Sequence, residues 1–196
     1  MEDRNPWGIR FAERMSGFFA EGVGEPAEGY QEGRKRDKKI SFRVKIFIDS
    51  LQEFVRNPDY EARIEGYLDA DSLGNGLPLE DGRFNMFSGG PESGLRYITY
   101  RFRFCLQSGE KFYLKGVKEI HSDRGYYSSE GEQKTLFIKI YRGESEEGEP
   151  RGSGILTFKM KDFLPLMFSM RATNAKSLGD KIRALRMFLA FSSRGF

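Results

Sequence analysis

The hydrophobic residues of this chain alternate with polar residues over much of its length, at the period of two that marks a half-buried β-strand. The first such run places Ile40, Phe42, Val44, Ile46 and Ile48 on one face. Similar runs recur at 62–70, 83–87, 95–107, 112–117, 136–140 and 156–160. The pattern therefore predicts about seven strands, each with one buried face.

Short polar loops join most of these predicted strands, and turn formers such as Gly74, Asn75 and Gly76 lie between them. Parallel neighbours would need crossover helices, which are missing between most of the strands, so we expect antiparallel pairing. The run at 95–107 is long, and long strands with one apolar face suit a barrel. The expected fold is mainly β (α+β): an antiparallel β-barrel or strongly curved antiparallel sheet, lipocalin-like in outline, with flanking N- and C-terminal helices.

The segment at 8–21 has apolar residues at spacings of three and four, which predicts a short amphipathic helix. The residues concerned are Phe11, Met15, Phe18 and Phe19. Such a helix would either pack on its own domain or dock on a partner or a membrane surface. The sequence leaves both alternatives open.

The next stretch, 22–39, is rich in glycine and charged residues and ends in a mostly basic run. This composition is typical of a solvated linker. We therefore expect an N-terminal helix and charged linker over 1–39. An antiparallel β domain with C-terminal helices is expected over 40–196.

Two helices are expected to close the chain. Asp162 can cap a short helix, and Ser177 with Asp180 can cap a longer one in a capping-box arrangement. The longer helix carries an apolar stripe of Leu178, Ile182, Leu185, Phe188 and Leu189. A second apolar group contains Met160, Phe163, Met167, Phe168 and Met170. Flexible methionines of this kind either pack helices together or bind varied apolar partners, and both interpretations stay open.

Composition and charge narrow the class of protein. Of the 196 residues, 32 are basic and 29 acidic, and this near balance favours no nucleic-acid partner. The 18 Phe and 9 Tyr can fill a sizeable core. Cys105 is the single cysteine, so no disulfide forms within the chain. A lone thiol, the lack of a long apolar run and the polar residues after Met1 together predict a cytoplasmic protein without a membrane span.

Residues that carry common catalytic chemistry are scarce. His121 is the only histidine, so with Cys105 the chain has too few ligands for a usual zinc site. It also has no glycine-rich phosphate loop. We therefore predict no catalytic residues, no metal and no cofactor, and an enzyme is the less favoured class. The alternative is a cofactor-free isomerase or hydrolase working inside the barrel, with Lys118, Glu119, His121 and Asp123 as its acid–base groups.

The aromatic lining of the predicted barrel is its best candidate for binding. Its members either form a packed core or surround a cavity for a hydrophobic small molecule such as a lipid or sterol. Arg101 and Arg103 alternate with the lining on the opposite face and are better placed for partner contacts. The residues predicted to form the ligand wall are Phe42, Tyr100, Phe102, Phe112 and Phe137.

Several segments follow one another in an order that resembles a known module. They are Phe11–Phe18 (FAERMSGF), Phe84–Phe87 (FNMF), Tyr113–Asp123 (YLKGVKEIHSD), Thr135–Tyr141 (TLFIKIY), Gly154–Phe158 (GILTF) and Met170–Thr173 (MRAT). Together they resemble an accessory β-rich module fused to some bacterial cholesterol-oxidase-like flavin oxidoreductases of the glucose-methanol-choline type. The resemblance implies an association with the metabolism of sterols or other apolar substrates. It implies no oxidase activity, because the flavin-binding glycine fingerprint belongs to a different domain.

The leading hypothesis is a non-enzymatic accessory or binding module. It would hold a hydrophobic small molecule in its barrel, or dock on a flavin oxidoreductase partner as the resemblance implies.

Overall fold

The computed structural model describes residues 7–88, 95–121, 135–159 and 162–194. Within these residues the chain forms ten strands and four helices. The strands are β1 (Gly8–Glu21), β2 (Lys39–Ile48), β3 (Glu61–Ala70), β4 (Gly74–Pro78), β5 (Glu80–Ser88), β6 (Leu95–Cys105), β7 (Lys111–His121), β8 (Thr135–Arg142), β9 (Pro150–Thr157) and β10 (Arg171–Thr173). The helices are α1 (Pro26–Lys35), α2 (Leu51–Arg56), α3 (Phe163–Ser169) and α4 (Leu178–Arg194).

Eight of the strands form a closed antiparallel barrel. They are hydrogen-bonded in the order β1, β2, β3, β5, β6, β7, β8, β9, and β9 pairs with β1 to close the ring. The short strands β4 and β10 pair with β3 and β1 outside this ring. The predicted fold class, an antiparallel barrel with flanking helices, is confirmed.

The predicted alternation forms strands because each one turns its apolar side to a shared interior. In β2, the residues Ile40, Phe42, Val44, Ile46 and Ile48 are at most 2% exposed, while the intervening Lys45 is exposed. Burying a large apolar side chain stabilises a fold by roughly 1.5–3 kcal/mol, so this arrangement strongly favours the strand register observed. The buried residues of all the barrel strands form one core cluster.

The segment at 8–21 is strand β1, and the prediction of a helix there is wrong. Alternate residues point into the barrel, and those at most 8% exposed are Ile9, Phe11, Met15 and Phe19. Glu13 and Gly17 stand in the same row and interrupt its apolar pattern, so the helical spacing is the more visible one. Because β1 pairs with both β2 and β9, the start of the chain contributes a wall of the barrel.

Part of the predicted linker is helix α1, which also corrects the expectation for 22–39. Its buried residues are Gly29 and Gly33, so it has no apolar stripe for a sequence pattern to show. A side chain on Gly29 would overlap the Ser153 carbonyl, and one on Gly33 would overlap the backbone of Phe19. The two glycines therefore let the helix backbone lie directly on β1 and β9.

The C-terminal segment packs at one end of the barrel, beside the first half of β1. The Ala12 N–H donates to Ser169 Oγ of α3 at 2.8 Å. Strand β10 pairs with Gly8–Arg10. The ring centroids of Phe11 and Phe188, the latter on α4, are 5.7 Å apart. Three successive elements thus attach to one stretch of β1.

The predicted helices at the C-terminus are confirmed. Ser177 caps α4, because its Oγ accepts from the Asp180 N–H at 3.0 Å and the Asp180 carboxylate accepts from the Ser177 N–H at 3.3 Å. Asp162 precedes α3 as predicted but makes no side-chain capping hydrogen bond. Away from the C-terminus, the short helix α2 begins at Leu51 and ends at Arg56, just before Asn57 and Pro58.

Replacing Gly29 by alanine is expected to destabilise the fold by about 1–3 kcal/mol through overpacking, although alanine favours helices more than glycine does. The added methyl group would press on the Ser153 carbonyl and force α1 away from β9. Urea unfolding of Gly29→Ala and of Gly24→Ala measures the effect, since the space around Gly24 is open. Equal free energies of unfolding for the two variants would contradict the close approach.

Candidate functional site

Four of the five residues predicted to line a ligand pocket are packed in the interior of the barrel. Phe42, Tyr100, Phe102 and Phe112 are at most 1% exposed. The Phe42 ring lies 5.5 Å from the Tyr100 ring and 6.2 Å from the Phe102 ring, and Phe112 stacks on Phe104 at 5.6 Å. Rings at these distances are in contact. The four residues therefore fill space together, and their role as a ligand wall stays a prediction.

Phe137 is separated from the other four predicted wall residues. In β8 the alternate residues Leu136, Ile138 and Ile140 are fully buried. Phe137 lies between them on the opposite face and is half-buried. Because successive side chains of a strand point to opposite faces, both sets cannot face the interior. Phe137 does not belong to an interior wall.

A polar cluster lies inside the otherwise apolar barrel. The Tyr100 hydroxyl donates to one carboxylate oxygen of Glu13 at 2.6 Å, and Lys118 Nζ lies 3.9 Å from the other oxygen. The side chains of Glu13 and Lys118 are 8% and 3% exposed. Charges this deep in a protein are costly unless they are paired. These residues, the Glu13–Tyr100–Lys118 cluster, join β1, β6 and β7 across the interior.

The environment of the cluster perturbs its lysine. Burial lowers the pKa of the Lys118 ammonium from its ordinary value of 10.5, and the nearby Glu13 carboxylate opposes that change. Perturbed lysines occur at functional sites and in structural ion pairs alike. Here the carboxylate meets both the ammonium and a phenol hydroxyl, so the cluster serves first as an internal tie between strands.

The four acid–base groups of the enzyme alternative are not brought together in the described structure. Lys118 points into the barrel, whereas Glu119 is exposed on the outer face of β7. The backbone of His121 ends β7, but its side chain and the whole of Asp123 lie outside the described residues. The ion-pair partner of Lys118 is Glu13 on β1, which is far from it along the chain. The spacing of residues near Lys118 could not have shown this pair.

Basic side chains on the outside of the barrel are widely paired with carboxylates. Lys111 Nζ lies 2.6 Å from a Glu144 oxygen, and Arg103 pairs with both Asp81 and Glu144. Arg101, the second predicted partner contact, donates to Asn85 Oδ1 at 2.5 Å. A surface cleft of about 340 Å³ contains several of these groups. Because its charges are matched internally, the cleft offers a charged partner little attraction.

Large apolar side chains remain exposed on α3 and α4. The most exposed are Leu164 at 62%, Phe168 at 73% and Leu178 at 75%. Both helices are nevertheless anchored, because Phe188 is buried and Leu166 packs against the core. We define the C-terminal face as the exposed large apolar residues of the two helices: Leu164, Met167, Phe168, Leu178, Ile182, Met187 and Leu189.

The predicted stripe of α4 divides between core and surface. Phe188 is 3% exposed and Leu185 is half-buried. Leu178, Ile182 and Leu189 are exposed. Ala184, which the stripe left out, is fully buried and completes the packed side. The helix therefore has one apolar side against the barrel and a second one facing solvent.

The predicted methionine and phenylalanine group divides in the same way. Met170 packs against the core, and Phe163 is half-buried. Met167 and Phe168 are exposed on α3. Met160 lies outside the described residues. The exposed members belong to the C-terminal face, and the choice between helix packing and partner binding stays a prediction.

Basic residues accompany the C-terminal face. The segment 158–196 contains eight Lys and Arg but two Asp, so the rest of this +3 chain is net negative. Most basic residues of the barrel strands form ion pairs, but none of the exposed basic residues of the segment forms one with another described residue. These described, exposed residues are Lys159, Arg171, Lys176, Lys181, Arg183 and Arg186.

Two further properties concern the described ranges alone. They contain no group of three or more His, Cys, Asp and Glu side chains placed to hold a metal ion. None of their helices combines the length and the hydrophobicity that crossing a bilayer requires.

Fold and surface together define a small closed antiparallel β-barrel with a basic and apolar C-terminal face. Comparisons of the chain with protein-family models, with curated proteins and with solved structures found no match. The resemblance to an accessory module of flavin oxidoreductases therefore stays a prediction.

Removing the carboxylate of the interior cluster is expected to be costly. Glu13→Ala leaves Lys118 buried without its counter-charge, and breaking a buried pair costs about 3–5 kcal/mol. The double variant with Lys118→Met should recover part of this loss, because it removes the unpaired charge. Urea unfolding of the single and double variants gives the coupling free energy. A loss below about 1 kcal/mol for Glu13→Ala would contradict the pairing.

The lowered pKa of Lys118 predicts a rise in stability at alkaline pH. Between the native pKa and 10.5 the unfolded chain still holds a proton that the native chain has released, so the free energy of unfolding increases with pH across that interval. Lys118→Met should lose this contribution. The measurement is the slope of unfolding free energy against pH, with exposed Lys45→Met as the control. Identical slopes for Lys118→Met and the unsubstituted protein would refute the assignment.

Proposed function

We propose that this chain is a non-enzymatic binding module whose binding surface is the C-terminal face. Its partner presents a surface that is both apolar and negatively charged. The observation that carries the proposal is that one short segment, 158–196, has exposed large apolar side chains together with exposed basic side chains that form no ion pair with another described residue.

Exposed apolar groups of this size call for an explanation. Single exposed hydrophobic residues are ordinary, but a contiguous set rimmed by polar residues marks an interaction site. The two helices are held in place by Phe188 and Leu166, so the exposure is a property of anchored helices. Covering Phe168 and Leu178 would remove apolar area from water and stabilise a complex.

The charge of the same segment selects the class of partner. Most basic groups of the barrel strands lie beside carboxylates, as Arg103 and Lys111 do, whereas Lys181, Arg183 and Arg186 on α4 have no carboxylate partner among the described residues. Unmatched positive charge attracts an anionic surface and repels a second copy of the same face. A self-associating dimer through this face is therefore disfavoured.

The barrel interior supports small-molecule binding less well than the C-terminal face supports docking. Phe42 contacts both Tyr100 and Phe102 in the core, and a ligand would have to displace these rings. The Glu13–Tyr100–Lys118 cluster is the one observation that favours a cofactor-free enzyme as a second candidate. Its charges are satisfied within the cluster, so we rank that candidate lower.

Site-specific photo-crosslinking in the native host tests the proposal. Benzoylphenylalanine placed at Phe168 or Ile182 should form crosslinked products, because both side chains lie on the C-terminal face. The matched control is the same substitution at Tyr67, which is 55% exposed on β3. Changing Lys181, Arg183 and Arg186 together to glutamate should lower the yield at position 168 at least about tenfold, by loss of charge attraction.

Mass spectrometry of the products identifies the partner class. A flavin oxidoreductase at positions 168 and 182 would agree with the resemblance noted above. Yields at these positions no higher than at Tyr67 would overturn the C-terminal face as the binding surface.

A further inference from the structure

We infer that the C-terminal face binds the surface of an anionic lipid bilayer, with α3 and α4 lying in the headgroup region. The inference rests on the proposed function and names the partner of that same surface. The basic and apolar residues on α3, β10 and α4 carry it.

The outward side of α4 has the layout of an interfacial helix. At about 100° per residue, Leu178, Ile182 and Leu189 fall within a sector of about 40°. Arg186 borders this sector on one side; on the other side the half-buried Leu185 comes first and Lys181 next. A helix that presents Leu or Phe on one side with Lys and Arg beside it binds in the plane of a membrane interface. Long basic side chains can place their stems along the apolar layer and their charges among the headgroups.

The side chains of the C-terminal face fit a lipid layer better than they fit a protein surface. A protein partner holds protruding anchors in matching pockets and also needs satisfied hydrogen bonds at its rim. The large side chains of the face are Leu, Ile, Met and Phe, which have no hydrogen-bond donor and, in the methionine sulfur, only a weak acceptor. They come from two helices separated by β10 and project from the barrel end. An acyl layer accepts such side chains without matching their shapes.

The two helices are attached to the same end of the barrel, so both can contact one membrane surface. Ser169 of α3 is bonded to Ala12, β10 pairs with Gly8–Arg10, and Phe188 of α4 contacts Phe11. These attachments all lie in the first half of β1. Membrane contact through this end would leave the opposite barrel end and its carboxylate-rich loops, including Glu144 and Glu146, away from anionic headgroups.

The test is co-sedimentation of the full chain with vesicles of neutral phosphatidylcholine and with vesicles of phosphatidylcholine mixed with anionic phosphatidylglycerol, which attract basic surfaces. We expect saturable binding to the anionic vesicles, at least about tenfold weaker to neutral ones and about tenfold weaker in high salt. The Lys181→Glu, Arg183→Glu, Arg186→Glu triple variant should bind about 100-fold more weakly, given the usual contribution of each basic residue near such a surface.

Apolar insertion is tested separately from charge. Phe168→Ser with Leu178→Ser should weaken binding to anionic vesicles at least about tenfold, while the exposed controls Tyr67→Ser and Lys45→Glu should not change it. These positions are exposed, and circular dichroism confirms that each variant is folded. As a second readout, the emission of Leu178→Trp should shift to shorter wavelength on vesicles, and that of Tyr67→Trp should not.

The outcomes separate this inference from the proposed function. The lipid assignment would be overturned if the protein did not bind anionic vesicles. It would also be overturned if the serine and glutamate variants bound them as tightly as the unsubstituted protein does. Crosslinking of an acidic protein at Phe168 in that case would leave the proposed function standing with a protein partner. Failure of both experiments would reject the two together.

Discussion

Closure of the barrel by β1 is the constraint on which the rest of the molecule depends. β1 pairs with β2 over most of its length and with β9 in its second half, so one strand supplies both the first and the last seam of the ring. Before Ser16, β1 does not pair with β9, and this edge of the strand is bonded to α3 and β10 instead. The position of the C-terminal helices is therefore a consequence of how far β1 extends past its closing partner.

The interior of β1 also explains why this strand carries a charge. Glu13 stands in the inward row between Phe11 and Met15, where an apolar residue would satisfy burial alone. It instead meets Tyr100 and Lys118 from the far wall. A buried ion pair of this kind adds little net stability over apolar packing, but it penalises any register that separates its members. A one-residue slip of β1 would turn Glu13 outwards and leave Lys118 unpaired, so the cluster favours the closing register.

Sequence patterns could predict the barrel because strands β2, β3, β6, β7 and β8 alternate without interruption, so each of them leaves one choice of buried face. The same reasoning failed for β1 because Glu13 and Gly17 break its row, and it failed for α1 because that helix is anchored by Gly29 and Gly33, which have no side chains to count. The apolar residues of the C-terminal helices were predicted. However, when a helix such as α4 has two apolar sides, its sequence pattern does not tell which side packs against the barrel. The excess of basic residues after Phe158 could have indicated that part of this segment faces solvent. The net charge of the whole chain did not show this excess, because the rest of the chain is net negative.

The barrel and the C-terminal segment differ in where they place large apolar side chains and in whether their charges are paired. The barrel turns its large apolar side chains inwards and matches outer charges such as Lys111 and Arg103 with carboxylates of its own loops. The segment that follows β9 turns Phe168 and Leu178 outwards and leaves its basic groups unmatched within the described chain. A surface whose charges are already neutralised gains little from a partner, because binding would first have to break those pairs. Association therefore gains most free energy where apolar side chains are exposed and basic side chains have no described carboxylate partner. That place is the end of the molecule attached to the first half of β1.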